Sequence, residues 1–203
     1  MLVEASAILT ERLLLRPLTI DDLDDVLVYQ SDPEVLRYML WPARDRAAAR
    51  EHLERRVDLV RLAHDGDGLV LAVETQESPG CVIGEVNVSL TSVADRQAEV
   101  GWIVAPEFQG RGYAFEAASR ILQLCFEDLG SHRVHARLDP RNAASVALCR
   151  RLGMREEAHF VEDLFFKGEW ADTGVYAILE AEWRARLGDA HGAAGQPTDS
   201  ASR

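Results

Sequence analysis

Apolar positions along the chain follow two spacings, and each spacing predicts an element. "RLLLRPL" (Arg12 to Leu18) is a short apolar run stopped by Pro17 and predicts a strand. In "TIDD", Thr19 is a candidate N-cap with Asp22 three residues on, similar to a capping box. A helix should then run through "LDDVLVYQ" and end near Asp32-Pro33. From Asp45 to His64 a helical spacing places Ala49, Leu53, Val57 and Val60 on one face, with Arg and Glu on the other. Three strand-like runs follow, Leu69 to Thr75, Cys81 to Thr91 and Gln97 to Val104. The turn-rich pieces "QESPG" and "SVADR" separate them, which suits an antiparallel meander.

The period then changes. Phe115, Ala118, Leu122, Cys125, Phe126 and Leu129 fall on one helical face, and Gly130 is a stop. "HRVHARL" alternates like a strand. "NAASVALCRRLG" reads as a helix with Asn142 as N-cap and Gly153 as C-cap glycine. "AHFVEDLFFKGEWADTGVYAIL" predicts two strands around a "KGEW" turn. The order βααβββαβαββ predicts an α/β fold, a mixed sheet with helices on both faces, in one domain over residues 1–187. Residues 188–203 carry no large apolar side chain and are expected to form a disordered tail.

Composition narrows the function. The 203 residues are 47% apolar and 28% charged, a soluble globular balance. The formal net charge of −12 argues against nucleic acid as a partner, since phosphate binding needs a basic footprint. It allows a cationic substrate, although solubility explains it equally well. Apolar runs are too short to cross a bilayer, so no membrane partner is expected. The N-terminus lacks signal-peptide features, so the expected location is cytoplasmic. Cys81, Cys125 and Cys149 form neither a disulfide framework nor a CxxC knuckle, and no metal is expected.

The stretch "VAPEFQGRGYAFEAASRILQ" carries the first chemical signal. A strand, a Gly-rich turn and a helix N-terminus together make an anion site, because the first helical N–H groups lack partners and the helix dipole is positive there. Gln109, Gly110, Arg111, Gly112, Tyr113 and Ala114 supply such a turn. The plain alternative is a tight turn with no ligand. There is no GxxxxGK[ST] and no GxGxxG, so neither a P-loop nor a Rossmann fingerprint is present.

"QGRGYA" matches [QR]-x-x-G-x-[GA], with Gln109, Gly112 and Ala114 on its fixed positions, and "NAASVALCRRLGM" follows about thirty residues later. On these motifs the sequence resembles the GNAT superfamily of acyl-CoA N-acyltransferases. "TERLLLRPL", "AEVGWIV" and "FKGEWADTGVYAILEAEW" look like the branch that holds ribosomal-protein N-terminal acetyltransferases. That branch also holds acetyltransferases for small amines and antibiotics. The resemblance spans residues 8 to 187 and implies a GNAT-type, largely antiparallel central sheet. It implies acetyl-CoA, or another acyl-CoA, as co-substrate and no metal. Its pyrophosphate would lie on residues 109–114, and its pantetheine along the second motif, with Asn142 and Cys149 as contacts. The acceptor would be a primary amine, either a protein N-terminus or a small amine such as a polyamine or aminoglycoside. A homodimer is compatible with the family.

Aminolysis of a thioester needs a neutral amine, so a carboxylate that takes the proton helps. The resemblance makes Glu99 the first candidate base, with Glu85 second, and the alternative for Glu99 is an exposed strand residue or an ion pair. His135 is a third candidate, against a structural histidine. The resemblance assigns the oxyanion donor to backbone N–H groups around Ile103 and Val104, which would also pair with pantetheine amides. Many members carry a Tyr acid in the second motif, where this chain has Cys149. Ser145, one turn earlier, is the alternative acid, or else an ordinary capping residue. Cys149 raises a covalent acyl-Cys route, against a small buried core residue. The expected reaction is direct transfer in a ternary complex. A reading from another class is a CoA-binding sensor or assembly module without catalysis.

Overall fold

The computed structural model of the chain describes residues 2–193. Its strands are β1 (Val3–Glu4), β2 (Ile8–Leu9), β3 (Leu13–Pro17), β4 (Arg61–Leu62), β5 (Gly68–Thr75), β6 (Val82–Ser92), β7 (Gln97–Val104), β8 (Arg133–Leu138), β9 (Arg155–Phe166) and β10 (Glu169–Leu179). Its helices are α1 (Leu23–Ser31), α2 (Pro33–Leu36), α3 (Arg46–Arg56), α4 (Tyr113–Gln123), α5 (Ala143–Arg151) and α6 (Glu180–Ala193). The expected order is present, with short β1, β2, β4 and α2 and a C-terminal α6 added to it. Helix α6 continues past Leu187, and residues 194–203 of the expected tail lie outside the described residues.

Eight strands form one sheet in the order β2-β3-β5-β6-β7-β8-β10-β9. Every neighbouring pair is antiparallel except β7 with β8. Two apolar clusters cover its faces. On one face, Leu13, Leu71, Val88, Val100, Val134 and Ile178 pack against Ala118, Ile121 and Leu122 of α4 and Val146 and Cys149 of α5. On the other, Val70, Ala72 and Val82 meet Leu23, Val26 and Tyr29 of α1 and Ala49 and Leu53 of α3. The period-two alternation of the strands produces this division.

One helix is shorter than its periodicity suggests. Helix α3 ends at Arg56 instead of continuing to His64, with Val57 as its C-cap. Val57 and Leu59 stay with the α1–α3 cluster, but Leu62 joins the opposite one, and Val60 is exposed. The chain passes the start of β5 here, with Val60 bridging Leu69 and β4 pairing with β1. The apolar spacing over these residues therefore belongs to two cores, which a single helical face cannot serve.

A buried ion network fixes α1 to the sheet. The Arg16 guanidinium donates to Asp22 at 2.6 and 2.8 Å and to Glu74 at 2.6 Å. Asp22 also accepts the Thr19 N–H at 2.7 Å, the half of the capping box expected from Asp22. Burial works against the Asp22 charge, but Arg16 and Thr19 outweigh it and hold the carboxyl below its ordinary value. Removing the cation strands two buried carboxylates. Arg16→Ala should therefore lower the unfolding free energy by about 3–5 kcal/mol, read from the urea midpoint at unchanged slope. A depressed carboxyl gives stability above its unfolded pKa, lost as pH falls through its folded value. The gap between wild type and variant should therefore narrow below the range in which ordinary carboxyls titrate.

Candidate active site

The parallel pair creates an opening in the sheet. β7 and β8 pair only at Gln97↔Arg133, Ala98↔Val134 and Glu99↔His135. β7 then runs on to Val104 and β8 to Leu138 with no further pairing between them among the described residues. On its other side β7 stays paired with β6 through Val104↔Gly84. Backbone polar groups alternate sides along a strand. The Ala105 N–H donates to Ile83 at 2.8 Å, so Val104 and Trp102 present their N–H groups to the opening and Ile103 presents its own to β6. The expectation for Ile103 thus changes. Its backbone N–H faces a neighbouring strand, and Trp102 with Val104 supplies the open edge. The Val104 carbonyl already accepts the Gln109 side-chain amide at 2.8 Å. An edge with free N–H groups can receive an extended amide chain as an added strand would be received.

The Gly-rich turn closes the end of this opening. Gly110 and Gly112 adopt left-handed φ of 73° and 84°, which glycine takes without steric cost. α4 begins at Tyr113, and its first internal bond is Glu116 N–H to Gly112 O at 3.1 Å. The N–H groups of residues 110–115 have no acceptor among the described residues. The turn therefore presents a row of free donors at a positive helix end, which suits a pyrophosphate. A Cβ at Gly110 would meet nothing within 4 Å. Gln109 is different from the rest of the turn. Its N–H goes to Pro106 O at 3.2 Å and its side chain to Val104, so it holds the loop's shape.

Arg12 braces the turn from β3's approach, a role that no sequence pattern suggested. Its guanidinium donates to Glu116 at 2.7 Å and to the Arg111 carbonyl at 3.0 Å, and it lies 4.8 Å from the Tyr113 ring. The Arg12 N–H and the Thr10 hydroxyl also donate to Glu116, at 2.7 and 2.6 Å. Burial opposes the Glu116 charge, but these three donors prevail and keep the carboxyl below its ordinary value. They neutralise an acid that would otherwise repel an anion at this helix end. At the far side, Arg151 of α5 stacks 3.8 Å from the Phe115 ring centroid and ties the two motif helices together. Arg111 lies 5.6 Å from the Phe108 ring, exposed at the turn.

Glu99 occupies the last paired position before the opening. Its Oε2 lies 3.3 Å from His135 Nε2 on the facing residue of β8. Ser145 approaches from the opposite face, where its hydroxyl accepts the Trp102 indole N–H at 3.3 Å. Glu99 and Trp102 are three residues apart on a regular strand, so their side chains point to opposite faces, about 10 Å apart along β7. The carboxylate and the hydroxyl thus flank one opening from two sides. Asn142 caps α5 by accepting the Ser145 N–H at 3.0 Å, and its amide NH₂ has no partner among the described residues.

Two other candidates sit elsewhere. Cys149 is fully buried in the core, and burial pushes its thiol up to about 12. It presents neither a thiolate nor a surface for pantetheine, which corrects its placement among the CoA contacts. Glu85 is also buried, accepting Tyr29 O–H at 2.6 Å and paired with Arg56 at 2.6 Å, so both its oxygens are engaged. Trp102 was legible only as a strand residue. Its odd offset of three from Glu99 on a strand is the signal that would have placed it on the far face.

Arg12→Ala should release the turn and leave Glu116 uncompensated beside the anion site. Acetyl-CoA affinity should fall about tenfold or more by titration calorimetry, as for a lost charge-assisted hydrogen bond, with the fold kept. Gly112→Asp should abolish that binding, by left-handed strain and by like charge.

Comparison with known proteins identifies the family. Residues 12–155 match the family described as Acetyltransferase (GNAT) domain. The Bacillus subtilis protein described as uncharacterized N-acetyltransferase YnaD is 31% identical over 176 residues, covering 87% of this chain and 98% of that one. The [ribosomal protein uS5]-alanine N-acetyltransferase of Escherichia coli is 29% identical over 84 residues, 41% of this chain and 43% of that one. Among solved structures, spermidine N-acetyltransferase from Vibrio cholerae, in complex with CoA and spermine, superposes with a TM-score of 0.72 at 26% identity, covering 86% of this chain and 99% of that one. The match over most of the chain, together with the shared fold, establishes that this protein belongs to the GNAT family and is an acyl-CoA-dependent N-acetyltransferase.

Proposed function

We propose that the chain transfers an acetyl group directly from acetyl-CoA to a primary amine, with a protein N-terminal amine as the acceptor that needs the least help. The observation that carries this is the arrest of the β7–β8 ladder at Glu99, with Ser145 on the other side of the opening. An α-amino group has pKa near 8, so roughly a tenth is neutral at pH 7, whereas a lysine amine is almost wholly protonated. Glu99 takes the proton from the attacking amine, directly or through a water, and His135 holds the carboxylate in place. The amine nitrogen attacks the thioester carbonyl carbon, and the negative oxygen is stabilised by the opening-facing N–H of Val104 or Trp102. As the C–S bond breaks, CoA leaves as a thiolate that accepts a hydrogen bond from the Ser145 hydroxyl, and it takes its proton from solvent to balance the one held by Glu99. The Trp102 indole N–H donates to the Ser145 oxygen, which leaves the hydroxyl hydrogen free for this step.

An acyl-Cys route lacks a nucleophile. Burial raises the thiol pKa of Cys149, Cys125 and Cys81, and for Cys81 the nearby Asp25 and Glu74 add to the effect.

Glu99→Gln should cut kcat by about 10²-fold, within the range for a lost general base, while calorimetric affinity for acetyl-CoA stays unchanged. Turnover at the wild-type level would remove Glu99 from this role. Ser145→Ala should cut kcat less, by roughly tenfold, because a thiolate of pKa near 8.5 leaves with little assistance.

A further inference from the structure

On the face that carries Glu99, a cleft of about 480 Å³ opens over β8. Gln97, Arg133, His135, Arg137, Phe160 and Asp163 line it. Most of its polar groups are already engaged. Arg133 donates to Glu157 at 2.5 Å and to Gln97 at 3.1 Å, and His135 faces Glu99. Arg137 is the exception. It is exposed, and its guanidinium has no ion pair, hydrogen bond or ring contact among the described residues. It follows His135 by two positions, so it shares that face, about 7 Å further along β8. It also lies beyond the last β7–β8 pair, in the stretch of β8 that borders the opening.

Asp163, on β9 across the cleft, likewise has no partner, and it forms no ion pair with Arg137. The cleft therefore offers one uncommitted cation close to the base and one uncommitted anion at its lip. An arginine is charged at every working pH and grips a carboxylate with two parallel donors. Spermine, bound by the Vibrio cholerae relative, carries positive charge only, and here the uncommitted cation nearest the base, Arg137, would repel it, while Arg133 is already paired with Glu157.

We propose that Arg137 is a specificity residue that binds a carboxylate carried near the acceptor's amine, so that the preferred acceptor is an acidic or zwitterionic amine rather than a polyamine. This rests on the acetyl-transfer reading above, because the acceptor is placed by Glu99.

The test compares four amines with the wild type, Arg137→Gln and Arg137→Glu. They are alanyl-aspartate amide, its neutral isostere alanyl-asparagine amide, free L-aspartate and spermidine. Binding to the enzyme–CoA complex is measured by calorimetry, and acetyl transfer by CoA release. The wild type should favour the aspartyl peptide, free aspartate or both over the asparaginyl peptide by about tenfold or more in affinity and in kcat/KM, the difference expected of a charge-assisted contact. The stronger of the two acidic acceptors tells a peptide side chain from a free amino acid. Arg137→Gln should erase the preference by raising KM for the acidic acceptor, with kcat on the neutral peptide unchanged. Arg137→Glu should turn it toward spermidine. Equal binding of the two peptides, a wild-type preference for spermidine, or equal losses on all acceptors in Arg137→Gln would overturn the assignment. If the binding preference and its loss in Arg137→Gln are seen without any acetyl transfer, the anion contact stands and the transfer chemistry fails.

Discussion

The single parallel strand pair governs this molecule. In an otherwise antiparallel sheet, β7 and β8 run side by side for three residues and then separate. A parallel neighbour requires a crossover, and α4 supplies it. That connection places a helix N-terminus at the end of the strand that has just lost its partner. The free strand edge, the free N–H groups of the turn and the helix dipole then lie in sequence along one path. A phosphate-bearing chain with amide links is complementary to that path, and under the proposed function its thioester end would lie between Glu99 on one face of the sheet and Ser145 on the other. The chemistry thus follows from where one ladder stops.

Holding that opening in shape falls to charged contacts between segments far apart in the chain. Arg12 joins the approach to β3 with the first turn of α4, about a hundred residues on. Arg16 joins β3 to α1 and β5 through two buried carboxylates, and Arg56 with Tyr29 does the same for Glu85 of β6. The Arg16 and Arg56 contacts, which are largely buried, add little net stability when intact and cost much when broken. Their value here is positional. The first of the three holds the Gly-rich turn, and the other two hold the helices that cover the face on which Glu99 and Arg137 point.

Local pattern made most of the fold readable. Period-two runs gave the meander, and the Asn142 cap and the Gly112 turn were each visible in a few residues, because their causes are local. The failures share one cause, which is tertiary. Val57 to Leu62 looked helical because its apolar residues serve two cores. Cys149 looked like a cofactor contact because its motif position is one, yet the helix turns it into the core. Ile103 and Val104 are equivalent in sequence, and only the register with β6 shows which N–H faces the opening. Arg12 and Arg137 carry no local signal, since one acts through a residue far away and the other is notable for contacts it lacks.

Residue-resolved amide exchange of β7, with and without CoA, tests the open edge most directly. The Trp102 and Val104 amides should exchange quickly in the free protein while those of Gly101 and Ile103, turned toward β6, exchange slowly. Saturating CoA should slow Trp102 and Val104 and leave the other two unchanged. Equal protection of all four in the free protein, or no change at Trp102 and Val104 on CoA binding, would contradict an opening that begins beyond Glu99.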